Sequence, residues 1–170
     1  MGFTKTTASF ALAILATSLL LSAAESAVNP FCDTATDKAL CTQMTKDAKT
    51  WEGAMTNVLN AALEKVMAGK KIVDGVRSKL PGNLKQVSKD SIQETCSEAY
   101  DSIIHDITKC IGFVKNDPTS ALKTYLGGAS FSDCTDSLDE FQVSLPEVTN
   151  LDAEITKLRS TLLTVAGKKP

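Results

Sequence analysis

Residues able to do chemistry are few in this chain and poorly placed for it. His105 is the only histidine. It lies between Ile103 and Ile107, off the apolar seam, as a surface helix residue does, and no Gly-x-Ser-x-Gly turn or second base accompanies it. Gly69-Lys70-Lys71 lacks the upstream glycine and the hydroxyl residue of a phosphate-binding loop. The carboxylate pairs Asp133 with Asp136, and Asp139 with Glu140, have the spacing of solvated helix-surface charge. The five cysteines include no Cys-x-x-Cys pair and find no second ligand near His105, so neither a metal nor a cofactor is expected. These residues point away from an enzyme and towards a stapled protein that works by binding.

Five cysteines in an exported chain make two bridges and one spare thiol. Export is read from the N-terminus, where Lys5 precedes an apolar run from Phe10 to Leu21, followed by Ser22, Ala23 and Ala24. The run is about a dozen residues, against the roughly 20 that a membrane span needs. A signal peptide over 1–24 is therefore expected, with Ala27 as a weaker cleavage site and one domain over 25–170. Loss of Lys5 leaves 17 basic residues against 20 acidic, a net charge of about -3 with both signs interspersed. No basic stripe asks for nucleic acid, aromatics are only 5%, and Lys168-Lys169 reads as a solvated terminus too short to hold a membrane surface. No Asn-x-Ser/Thr site for N-glycosylation is present.

What must position these residues is a set of helices, because apolar residues recur by threes and fours nearly everywhere. Met55, Val58, Leu59, Ala62, Val66, Gly69, Val73 and Val76 predict a helix over about 50–78, ended by Pro81-Gly82. A second seam runs through Ile92, Cys96, Ala99, Tyr100, Ile103, Ile107, Cys110, Ile111 and Val114. Asn116-Asp117-Pro118 then makes a turn with Asp117 as helix cap, and Leu122, Leu126, Ala129, Leu138 and Phe141 continue helically with a possible kink at Gly127-Gly128. After Pro146, the residues Val148, Leu151, Ile155, Leu158, Leu162 and Val165 form a heptad-like seam. Four such helices with short breaks predict an all-α, up-and-down antiparallel four-helix bundle over 49–170, preceded by an N-terminal helical hairpin extension over 25–48. Trp51 is expected to pack that extension against the first bundle helix.

Helix geometry also narrows the two disulfides. Cys96 and Cys110 lie 14 residues apart on one helix, about 21 Å at 1.5 Å per residue, and cannot pair. If the chain reverses near residue 116, Cys134 comes level with a residue near 99, roughly one turn from Cys96 and three from Cys110. Cys96 to Cys134 is then the better bridge, Cys32 to Cys41 closes the extension, and Cys110 remains a buried free thiol. Loop-closure entropy assigns the short and long bridges roughly 2.5 and 4 kcal/mol.

Certain of these residues carry a family likeness. Cys32-x8-Cys41 follows the leader, Thr95-Cys96-Ser97-Glu98-Ala99-Tyr100-Asp101 holds a Cys, a Tyr and a following acid, and Gly128-Ala129-Ser130 leads to Cys134-Thr135-Asp136. In this order, with four helices, the whole mature chain resembles the plant invertase and pectin methylesterase inhibitor domain. The resemblance implies a secreted, non-catalytic inhibitor of the apoplast and cell wall that lays its bundle helices over the substrate cleft of pectin methylesterase in a stoichiometric complex favoured at acidic pH. It implies acid (cell-wall or vacuolar) invertase as the alternative target. Glu98 matches an acidic position that such inhibitors use to meet a basic group on the enzyme. With Glu94, Asp101, Asp133 and Asp136 it forms the expected partner-binding patch, since an acidic inhibitor meeting a basic enzyme associates faster and weakens as salt rises. The chain departs from the pattern at Asp133, where pectin methylesterase inhibitors usually carry Thr, and at Gly127-Gly128. It also lacks the Pro-Lys-Phe motif of the invertase-inhibiting branch.

Two other readings share many of these features. A carrier of an apolar ligand would need space within the bundle, which the Leu, Ile and Val of the seams are expected to fill. A non-inhibitory extracellular binding or structural bundle shares everything except the complex with an enzyme.

Overall fold

Helix forms along most of the described stretches in which apolar residues step by threes and fours, and the described chain contains no strand. The computed structural model describes residues 28–116, 122, 125–127 and 132–170. The leader expected over 1–24, the weaker cleavage site at Ala27, the Asp117 cap with Pro118, and Gly128, Ala129 and Ser130 lie outside the described residues.

The extension begins with a single 3-10 turn, Pro30–Cys32, and helix α1, Lys38–Thr45. Asp37 caps α1 by accepting from the Leu40 amide at 2.9 Å. Asn29 fastens the start of the chain to the end of α1, accepting from the Phe31 amide and donating its side-chain amide to the carbonyls of Lys46 (3.1 Å) and Ala48 (3.4 Å). The Cys32–Cys41 disulfide closes the unit.

Helix α2 spans Trp51–Val73 with Thr50 as N-cap, its hydroxyl accepting from the Gly53 amide, and Glu52 in the first turn where the helix dipole favours an acid. It stops five residues short of the expected Ser78. The chain turns at Asp74 and Gly75 and continues as a 3-10 turn, Val76–Lys79, that keeps Val76 and Leu80 buried ahead of Pro81. Helix α3, Gln86–Asn116, buries Ile92, Cys96, Ala99, Tyr100, Ile103, Ile107, Cys110 and Val114, the expected seam except for a half-buried Ile111. Beyond it Leu122 and residues 125–127 are helical, with Leu122 and Leu126 buried. Helix α4, Asp133–Glu140, is shorter than the expected run, and Phe141 falls in the turn that follows. Helix α5, Pro146–Ala166, starts on proline and buries all six residues of its heptad-like seam.

These helices pack side by side as an antiparallel bundle. Lys70 meets Ser97 and Arg77 meets Asp90, so α2 and α3 run in opposite directions. Trp51 reaches Val165, Lys65 reaches Glu154 and Lys79 reaches Glu147, so α2 and α5 do as well. Gly69 leaves room for side chains of both neighbouring helices: a Cβ there would stand 2.9 Å from Leu151 and 3.0 Å from Tyr100. Arg159 of α5 donates to the carbonyls of Leu126 (3.1 Å) and Gly127 (2.8 Å).

The extension and the start of α2 meet the last residues of the chain on one side of the bundle. Trp51 is buried as expected, but its indole N–H donates to the Val165 carbonyl of α5 at 2.8 Å, anchoring the start of α2 to the last helix. The terminal lysines are not simply solvated. Lys168 pairs with Asp33 of the extension at 2.5 Å, and Lys169 stands over the Trp51 ring, 5.6 Å from its centre. Among the described residues no helix is long and apolar enough to cross a membrane.

Candidate partner-binding face

The second disulfide, Cys96–Cys134, joins α3 to α4, and both cysteines are buried. Cys110 is the buried free thiol. Burial, helped by the charge of Asp106, pushes that thiol up to about 12, which leaves it protonated and inert near neutrality.

Glu94, Glu98 and Asp101 follow one another at four- and three-residue steps, on the side of α3 opposite Cys96 and Ile103, and all three are exposed. Glu94 and Glu98 form no ion pair with any described residue, so their charge faces outward. Asp101 differs: Lys70 of α2 approaches it at 3.3 Å while holding Asp74 at 2.7 Å and Ser97 Oγ at 3.0 Å. Ser97 in turn donates to Asp74 at 2.8 Å. The hydrogen bond from Lys70, and then that from Ser97, holds the Asp74 carboxyl below its ordinary range although partial burial opposes this. For Lys70, burial is the largest influence and pulls downward, but the bonds to Asp74 and Asp101 more than offset it and the ammonium ends above its ordinary value.

Asp133 and Asp136 occupy the first turn of α4, where the helix dipole favours acids, and both are exposed. Asp136 accepts from Ser132 Oγ at 2.9 Å. The expected patch is therefore two helix faces joined by a disulfide, with Glu94 and Glu98 turned outward, Asp101 tied to α2 and Asp136 tied to its own helix start.

One element of this region escaped sequence reasoning. Asp152 of α5, only 6% exposed, lies under α4. Its Oδ1 accepts from the Tyr100 hydroxyl of α3 at 2.6 Å, and its Oδ2 accepts from the Thr135 amide at 3.3 Å and from the Thr135 hydroxyl. Burial, reinforced by Asp152, drives the Tyr100 hydroxyl far above its ordinary value, so it remains a donor. The signals were present: Tyr100 on an apolar seam needs a partner for its hydroxyl, and Asp152 falls four residues after Val148 and three before Ile155, on the buried stripe.

His105 is exposed on α3, and Asp139 and Glu140 are exposed on α4. No group of three or more His, Cys, Asp or Glu side chains among the described residues is placed to hold a metal ion. An open groove of about 860 Å³ lies between α1, α2 and α5, floored by Leu40, Met44, Ala61 and Leu158 with Lys46 and Lys157 at its edge. It opens to the surface and is lined by none of the five acids of the expected patch. No family model matches the chain, and no curated protein matches it.

Proposed function

We propose that this protein is a secreted inhibitor of pectin methylesterase that binds over the enzyme's substrate cleft in a one-to-one complex, with the outward faces of α3 and α4 as its contact surface. The observation that carries the reading is the Cys96–Cys134 bridge between two helices that both display unburied carboxylates. A covalently braced pair of helix faces loses little conformational freedom on docking, which is how a rigid inhibitor gains affinity. Its acidic side chains suit a basic enzyme surface. The order of the cysteine motifs, the bundle with its stapled extension, and the sequence likeness to the invertase and pectin methylesterase inhibitor domain support the same reading. Two disulfides fit an oxidising compartment, and with the apolar leader they favour export to the apoplast.

Side-by-side assays of a plant pectin methylesterase and an acid invertase with the purified mature protein, at about pH 5.5 and near neutrality, test the proposal. Loss of methylesterase activity with invertase untouched is the expected result. Inhibition of invertase alone transfers the target, and full activity of both enzymes removes the inhibitory reading.

A further inference from the structure

We infer that Asp152 is a positioning residue for the partner-binding face: its carboxylate, supplied by α5, caps helix α4 from across the bundle and holds Asp133 and Asp136 in register with the acids of α3. The binding half of this inference rests on the proposed function; the capping half does not.

The argument begins with the short length of α4. Eight residues are too few for a helix to hold itself in water, so its shape depends on what fastens it. Its own N-cap residue, Ser132, makes no capping bond; its hydroxyl turns instead to Asp136. Amides in the first turn have no partner within the helix, and here the Thr135 amide is met by Asp152 Oδ2, which also takes the Thr135 hydroxyl. An anion at that end is favoured by the helix dipole as well. The carboxylate is fixed in turn by the Tyr100 hydroxyl, so one buried group fastens α3, α4 and α5 together. No cation pairs with Asp152 among the described residues. The hydrogen bonds are what make its burial tolerable, and they are spent on orienting α4. Thr135 immediately follows Cys134, so the cap and the disulfide act on adjacent residues of one helical turn, one through α5 and the other through α3.

Amide hydrogen exchange on the full mature protein tests the cap, comparing wild type with Thr135→Val, Thr135→Ser and Asp152→Ala. Thr135→Val keeps the side-chain shape and removes one bond to the carboxylate. It should speed exchange across 133–140 about tenfold relative to α2, as expected for the loss of a hydrogen bond to a charged group. Thr135→Ser should restore protection, and Asp152→Ala, if it folds, should exceed Thr135→Val. Reduction of Cys96–Cys134 by a small thiol should accelerate in the same order, while Cys32–Cys41 stays as in wild type. Unchanged α4 exchange in Thr135→Val overturns the cap. Loosened α4 with undiminished methylesterase inhibition overturns the positioning role in binding. If wild type inhibits neither enzyme, the proposed function fails while the exchange data still decide the cap.

Discussion

Removing the Cys96–Cys134 bridge in a Cys96→Ala/Cys134→Ala variant isolates the chief covalent support of the bundle. The bridge spans a sequence separation of 38 against 9 for Cys32–Cys41. Loop-closure entropy then gives about 3.9 kcal/mol for the first and about 2.6 kcal/mol for the second. Both cysteines of the long bridge are buried, so truncation also leaves small voids where two sulfur atoms packed, and the total loss should reach about 4 to 5 kcal/mol. That is a large share of the 5 to 15 kcal/mol typical of folded chains, so the variant should fold but only marginally. Urea unfolding followed by circular dichroism reads the effect. With a slope of about 2 kcal/mol per M the midpoint should fall by about 2 M, and the slope itself should rise because the opened unfolded chain exposes more surface. The matching Cys32→Ala/Cys41→Ala variant should lose less. A smaller loss from the long bridge than from the short one would refute the reasoning.

Charge, acid and thiol chemistry give three further expectations. Replacing Glu98 by Lys should slow association with the target enzyme about three- to tenfold at low salt, with the difference fading as salt is added and with little change in melting temperature; an unchanged rate takes Glu98 out of the interface. The Asp74 carboxyl is depressed in the folded state, so its contribution is present above its ordinary value near 4 and is lost as pH falls through the folded value, while the raised Lys70 ammonium stays charged throughout that window. Between about pH 4 and pH 2, wild type should therefore lose somewhat more stability than Asp74→Asn, by under about 1 kcal/mol because the pair is partly exposed; equal losses in thermal scans would contradict this. Cys110 should react with an aromatic disulfide reagent only as fast as the protein opens, accelerating with urea, and labelling at the speed of a free thiol would place it at the surface instead.

Much of the fold was legible because its signals are local and repeated. The α3 and α5 seams were readable from spacing alone, and the ban on a Cys96 to Cys110 pairing followed from helix rise, leaving the observed bridge as the better choice. What was not legible depends on partners distant in sequence. Spacing puts Asp152 on the buried stripe of α5, but which groups would receive its carboxylate is not readable until Tyr100 and Thr135 arrive beside it from two other helices. Lys168 reads as a loose tail until Asp33 is brought to it by the folding of the extension, and the end of α2 at Val73 is hidden by a stripe that carries on through Val76. Of the expected acidic patch, Glu94 and Glu98 lie on an outward face, but spacing gave no sign that Lys70 of α2 engages Asp101.

The central claim is tested most directly by titrating a fixed amount of active pectin methylesterase with the purified mature protein at about pH 5.5 and following residual activity together with complex formation by gel filtration. The account predicts activity falling linearly to an equivalence point at one inhibitor per enzyme, with both proteins eluting as a single larger species. Full activity and separate elution at a several-fold excess would contradict it.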